Sequence, residues 1–171
     1  TGLSATVRYV AGGAPYTERM AARQLQFEPG GLYHVFNFGV NGERIAFTDS
    51  DLSELSQWLR ADAAAAQITI VAYNLLPNAY HLLLRQCGDI PVSQFVQRVF
   101  NRYSKKINHR HRRSGTLFAG PFKAQAITGD RQLALLCRHV HLLPVTAGLV
   151  ESPEQWAFGD FREWLGDARP R

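Results

Sequence analysis

Apolar and polar positions divide this chain into segments of period two and segments of helical period. From Gln67 to Arg85 the sequence QITIVAYNLLPNAYHLLLR is almost continuously apolar and breaks at Pro77-Asn78. This predicts two adjacent strands joined by a corner, which must then be antiparallel. Side chains alternate faces along a strand, so Ala79, His81 and Leu83 point one way and Tyr80, Leu82 and Leu84 the other. Leu32 to Phe38 (LYHVFNF) also alternates and reads as the first strand. Turn chemistry follows at Gly39, Asn41 and Gly42, and Ile45-Ala46-Phe47 forms either a short second strand or an extended loop.

Helical spacing begins at Asp49-Ser50-Asp51, which offers an N-cap and first-turn acids. Leu52, Leu55, Trp58, Leu59 and Ala63 make the inward stripe, and the helix ends in the run Ala63 to Ala66. A second helix carries Pro91 in its first turn, with Val92, Phe95, Val96, Val99, Phe100, Tyr103 and Ile107 as its buried stripe. It runs out into the polar segment Asn108 to Gly115. Thr116-Leu117-Phe118 and Phe122 to Ile127 read as extended pieces around Gly120-Pro121. A third helix spans about Asp130 to Leu142, with Leu133, Leu136, Cys137 and Val140 inward, and Pro144 is expected to end it. Trp156, Phe158, Phe161 and Trp164 then pack from short turns. Strands and helices in this order imply an α+β architecture, an antiparallel sheet flanked by helices.

At 171 residues and 46% hydrophobic content the chain is the size of one domain. That domain is expected over residues 20–165, starting near Met20, with residues 1–19 as an extension and a disordered tail at 166–171. Cys87 and Cys137 lack metal-like spacing and read as buried free thiols in a reducing compartment. No apolar run approaches the roughly 20 residues of a membrane span, and the first residues lack the order of a signal peptide. A cytoplasmic location is the expectation.

Charge changes the picture more than composition does. The formal net charge is +5, and from Ile90 through Gly129 there is no acidic residue, while Arg98, Arg102, Lys105, Lys106, Arg110, Arg112, Arg113 and Lys123 all lie within. A solvated helix face ordinarily mixes signs, so this segment is the expected nucleic-acid surface. Tyr103, Phe118 and Phe122 stand among the cations, as stacking on unpaired bases requires. The bland reading is that these aromatics are core and the cations merely solubilise. His109 and His111 share a strand-like spacing, yet they lie among Arg110, Arg112 and Arg113, whose charge disfavours another cation. They read as part of the basic surface.

Several separated stretches together resemble one family, the single-tyrosine HUH transposases, in particular the branch of REP-associated tyrosine transposases. They are Gly31 to Val35, Leu76 to Leu84, Arg113 to Phe118 with Gly120, Leu143-Pro144-Val145 and Ala147 to Val150. The resemblance covers about Met20 to Phe161 in the family's order. It implies an HUH fold, of ferredoxin-like plan, acting on single-stranded or hairpin DNA. It also implies a divalent metal (Mg²⁺ or Mn²⁺), held by two histidines flanking one hydrophobic residue, and a helix-borne tyrosine that attacks the phosphate.

On these positions the chain departs from the pattern. The first histidine of the pair is Ala79 and only His81 stands at the second, a weak and vestigial metal ligand. The nucleophile position aligns with Gln132, and Leu136 stands one turn further on. Tyr80, Tyr103 and His139 are poor replacements: Tyr80 faces away from His81, Tyr103 belongs to an apolar stripe and His139 takes a packing position. His34 reads as a satisfied core histidine or a partner for a buried phosphate. The expected function is therefore binding of single-stranded or hairpin DNA with nicking and joining impaired or lost, and with a metal only if activity persists. The alternatives are an active transposase and an RNA-binding module. A homodimer is compatible with the sequence, and no membrane partner is expected.

Overall fold

Four strands form one antiparallel sheet in the computed structural model, which describes residues 25–166. They are β1 (Leu32–Phe38), β2 (Ile68–Leu76), β3 (Ala79–Gln86) and β4 (Lys123–Ala126), in the spatial order β2-β3-β1-β4. The expected extension over residues 1–19, the domain start near Met20 and, but for Gly166, the tail at 166–171 lie outside the described residues. Helix α1 (Asp49–Ala65) links β1 to β2 and α2 (Val92–Arg110) links β3 to β4, each crossing over one strand. This is the split β-α-β plan of a ferredoxin-like fold, as expected.

Both crossover helices pack on one face of the sheet. Tyr33, Val35, Leu82 and Leu84 meet Leu55 and Leu59 of α1 and Phe95, Val99 and Tyr103 of α2 in the main core. Every member of the α2 stripe read from the sequence is buried. Helix α3 (Asp130–Thr146) lies on the opposite face, where Leu136, Cys137 and Val140 pack against Ala72 and Leu83. The alternation in β3 holds, since Tyr80 stacks on Phe100 at 3.7 Å between ring centroids while Ala79 and Leu83 belong to the α3 side.

Local expectations are corrected at three places. Thr48, one residue earlier than expected, caps α1: its Oγ1 accepts from Asp51 N, and the Asp51 carboxylate accepts from Thr48 N at 3.0 Å. Together these form a capping box. Cys87 is exposed, and only Cys137 is a buried thiol. Of the two forms open to Ile45-Ala46-Phe47, the loop is the one adopted, with the amides of Ile45 and Ala46 both donating to Pro77 O.

The third correction is that Pro144 does not end α3, which runs on to Thr146. A proline withholds the N–H that the carbonyl four residues back requires, and here that carbonyl belongs to Val140. Asn74 of β2 supplies the missing donor, its Nδ2 lying 3.0 Å from Val140 O. The helix continues because the sheet completes its hydrogen bonding.

A C-terminal strap closes the β2 edge. Leu75 N donates to Phe158 O, Tyr73 N donates to the buried Asp160 carboxylate, and Trp156 Nε1 donates to Leu75 O. His141 of α3 also meets Asp160, at 3.0 Å, so strap, sheet edge and helix share one buried carboxylate. An unpaired strand edge is thereby covered. Gly159 permits the approach, because a Cβ there would sit 3.2 Å from the Asn74 side chain.

Candidate functional site: the sheet face beneath α3

Residues paired across an antiparallel sheet point to the same side, so the strand register fixes what faces α3. One row reads Asn74, His81, Phe36, Lys123, and the next reads Ala72, Leu83, His34, Gln125. Phe38 continues the same face and pairs with Ala79. Helix α3 covers the β2 and β3 side of these rows. Phe36, Phe38, Lys123 and Gln125, on the β1 and β4 side, are only half-buried.

His81 is therefore not alone. His34 lies diagonally across from it, and His34 Nε2 sits 3.2 Å from His81 Nδ1. Gln125 Nε2 approaches His34 Nδ1 at 3.4 Å. With the Gln125 amide nitrogen toward His34, the order of protons runs from Gln125 to His34 to His81 and leaves the remaining proton on His81 Nε2. That atom is buried and has no hydrogen-bond partner among the described residues. Phe36 stacks parallel to His81 at 5.3 Å, and His139 of α3 stands edge-on to it at 6.0 Å.

Burial keeps this cluster uncharged. Desolvation, helped by neighbouring His139, lowers the His34 pKa to about 3, and burial with the adjacent His34 and His139 holds His81 well below its ordinary value. Burial lowers His139 as well. Neutral imidazoles in a dry cleft donate or accept single hydrogen bonds and attract no anion by charge.

The residues that the sequence resemblance assigns to catalytic positions are each held by packing or hydrogen bonds. Ala79 is fully buried, and it packs with Leu76 and Leu143 where a second imidazole would stand. Leu136 lies in the apolar cluster with Leu83 and Val140. Gln132 caps its own helix start, its Oε1 accepting from Thr128 N at 3.0 Å. Among the described residues no group of three histidine, cysteine, aspartate or glutamate side chains is arranged to hold a metal ion. The donor set here does not fit the divalent metal that the fold family implies. Tyr80 packs on the far side of the sheet, and Tyr103 donates its hydroxyl to Ile45 O at 2.9 Å, so neither reaches His81.

The eight cations of the acid-free segment do not form one surface. Helix α2 lies on the face away from His81, and its basic side is clamped to α1. Arg102 pairs with Asp62, Lys106 with Glu54, and Arg110 with Asp51 and Glu54, both at 2.6 Å. Asp51 is fully buried and accepts from Arg110, His111, Phe47 N and Thr48 N. Burial raises its pKa, and those four hydrogen bonds outweigh the burial and hold the carboxyl below its ordinary value. Arg113 reaches Glu43 at 3.4 Å and lies over the Phe47 ring. Arg98, Lys105 and Arg112 make no ion pair among the described residues. Lys123 alone stands on the His81 face, its Nζ 5.5 Å from the Phe38 ring centroid.

Sequence reading missed the His34–His81 contact, the Asn74–Val140 bond and the Phe36–Phe38 platform. Strand alternation places His34, Phe36 and Phe38 on one face of β1, but which face of β3 they meet depends on register.

Among curated proteins no sequence matches the chain significantly. A REP-associated tyrosine transposase bound to a REP hairpin is similar in structure, with a TM-score of 0.70 at 17% identity over 88% of this chain and 89% of that one. A candidate transposase from Deinococcus radiodurans R1 is less similar, at a TM-score of 0.47 and 16% identity over 75% of this chain and 93% of that one. The first likeness extends the observed fold to a known transposase. The model of IS200-like transposases matches residues 31–143, from the start of β1 to the packed end of α3, and by that match the chain belongs to the IS200-like transposase family.

Proposed function

We propose that this chain binds single-stranded or hairpin DNA and has lost the nicking and joining reaction of its family. The observation that carries the reading is the closed slot at Ala79. A side chain buried against Leu76 and Leu143 leaves no cavity for an imidazole at 79, and His81, its Nδ1 bonded to His34, offers a hard, hydrated cation a single nitrogen. Gln132 cannot substitute for tyrosine, since its amide forms no phosphodiester bond. Without that metal and that nucleophile, the chain can hold a strand but has no means of breaking it.

The DNA reading rests on charge and stacking together, and the similar transposase bound to a REP hairpin supports it. Lys123 beside Phe36 and Phe38 offers a cation and two aromatic faces on the open half of the sheet, the combination unpaired bases use. The segment His109 to Gly115 lies at the same end of the sheet, where Arg113 reaches the loop that follows β1. Arg112 there and Arg98 and Lys105 along α2 are the cations left for phosphates. A divalent metal has a place in this reading only if cleavage persists.

The test incubates the protein with end-labelled hairpin DNA and Mg²⁺ or Mn²⁺, and reads the same samples on native and denaturing gels. A retained complex with an intact strand is expected. A nicked strand or a covalent adduct would overturn the loss of chemistry. Absence of any complex, or tighter binding to the RNA counterpart of the hairpin, would overturn the choice of partner.

A further inference from the structure

The loop that follows β1 and the turn that follows α2 meet through one ion pair, and it is built unlike the others of the acid-free segment. Arg102, Lys106 and Arg110 pair with carboxylates of α1 that are at most 23% exposed, so those pairs join two helices. Arg113 pairs with Glu43, a loop residue whose side chain is 57% exposed, and does so through Nη2 alone at 3.4 Å. A guanidinium matched to a carboxylate or phosphate makes two parallel bonds of about 2.7–2.9 Å. A long single bond to a carboxylate in water contributes little to stability.

The two partners are held unequally. Arg113 N donates to Asn108 O at 2.8 Å, and Asn108 Nδ2 donates to Gly115 O at 2.9 Å, which pins the turn on both sides of Arg113. Two residues earlier, His111 is fixed to the buried Asp51. The Arg113 side chain is only 21% exposed and its guanidinium lies over the Phe47 ring, 5.1 Å from the centroid. Its Nη1 is buried and without a partner among the described residues. An unpaired buried donor is uncommon in a folded chain, and an ion is one of the things that can explain it. The Glu43 side chain has no hydrogen bond among the described residues besides this one. The cation is therefore seated, and the anion is free to leave.

We propose that Arg113 is a latent phosphate site for the bound DNA and that Glu43 is its internal competitor. The proposal rests on the DNA-binding reading above and adds to it a site that opens only when DNA arrives. A phosphate has acceptor oxygens for Nη1 and Nη2 together, whereas Glu43 meets Nη2 only. On binding, the guanidinium stays on Phe47 and Glu43 turns into the solvent that already surrounds it. Arg98, Lys105 and Arg112 take a phosphate without giving anything up. Arg113 exchanges one anion for another, so Glu43 lowers the affinity for DNA by the strength of the pair it makes.

The test uses the full chain and a fluorescently labelled DNA hairpin with a single-stranded flank, read by anisotropy across a salt series. Four chains are compared: the wild type, Glu43→Gln, Arg113→Met and the double variant. Arg113→Met removes the charge and keeps an apolar stem over Phe47. Glu43→Gln should tighten binding by about two- to fivefold, the strength of one exposed pair. Arg113→Met should weaken binding and lower the salt slope by roughly 0.7, one single-strand phosphate. In the Arg113→Met background Glu43→Gln should change nothing, because its partner is gone. Glu43→Gln alters only an exposed side chain, so its effect is read whatever Arg113→Met costs in stability. Unchanged affinity in Glu43→Gln, or a gain that persists in the Arg113→Met background, would overturn the competition and leave the DNA reading standing. An unaltered salt slope in Arg113→Met would overturn the phosphate site in the same way. Failure of the wild type to bind the hairpin would remove the DNA reading itself.

Discussion

Replacing Asn74 with alanine should destabilise the protein far more when Pro144 is present than when it is not. Asn74 is 2% exposed and Val140 fully buried, so no solvent replaces the 3.0 Å bond between them. Leaving a buried carbonyl unsatisfied costs about 1–3 kcal/mol, and removal of the packed amide adds roughly 1 kcal/mol. Asn74→Ala alone should therefore cost about 2–4 kcal/mol on those terms. In a Pro144→Ala background residue 144 has its own N–H, which reaches Val140 O in the ordinary helical way. The carbonyl then stays satisfied, and Asn74→Ala should cost only about 1 kcal/mol. Urea unfolding of the four chains, followed by circular dichroism, gives the coupling, expected at about 1–3 kcal/mol. Additivity within about 0.5 kcal/mol would refute the idea that Asn74 sustains the helix through its proline.

Three further outcomes follow from the same geometry. Replacing Arg98, Lys105 and Arg112 together by alanine should weaken DNA binding and reduce the salt slope by roughly 0.7 for each single-strand phosphate left without its cation. The matching triple at Arg102, Lys106 and Arg110 should chiefly lower stability, by loosening α2 from α1; equal weakening of binding by the two triples, read by anisotropy across a salt series, would contradict this division. His34 has a folded pKa near 3, below the roughly 6.5 of an unfolded histidine. The unfolded chain therefore binds the extra proton, and the contribution of His34 to stability is present above about pH 6.5 and falls as pH drops toward 3. His34→Gln should flatten that part of the stability profile, and a His34 ring titrating near 6.5 by NMR would contradict the sign. Ala79→His should overpack the contact with Leu143 and cost about 1–3 kcal/mol without restoring metal-dependent nicking, which denaturing gels and thermal melts check together.

The helices were legible because their patterns are local. The α2 stripe from Val92 to Ile107 needs only the 3.6-residue period, and each of its members is buried. The end of α3 was misread for the opposite reason. Pro144 is a stop signal within its own helix, and the group that overrides it, Asn74, is far away in sequence on β2. The basic segment was only partly legible for the same reason. The absence of acids from Ile90 to Gly129 is real, but Asp51, Glu54 and Asp62 arrive from α1 and pair with three of the five lysines and arginines of α2. Local composition carries no information on charges that packing brings in.

By itself the sequence determined the element order, the antiparallel hairpin at Pro77-Asn78 and the family. These depend on side-chain identity, period and spacing, all of which are one-dimensional. Only the tertiary structure decided that His81 is hydrogen-bonded to His34, that the Ala79 slot is filled, and that the basic helix lies on the far side of the sheet from both. Strand register and the faces chosen by the crossover helices set those outcomes. Each is a relation between residues distant in the chain, fixed by the burial of every apolar face at once.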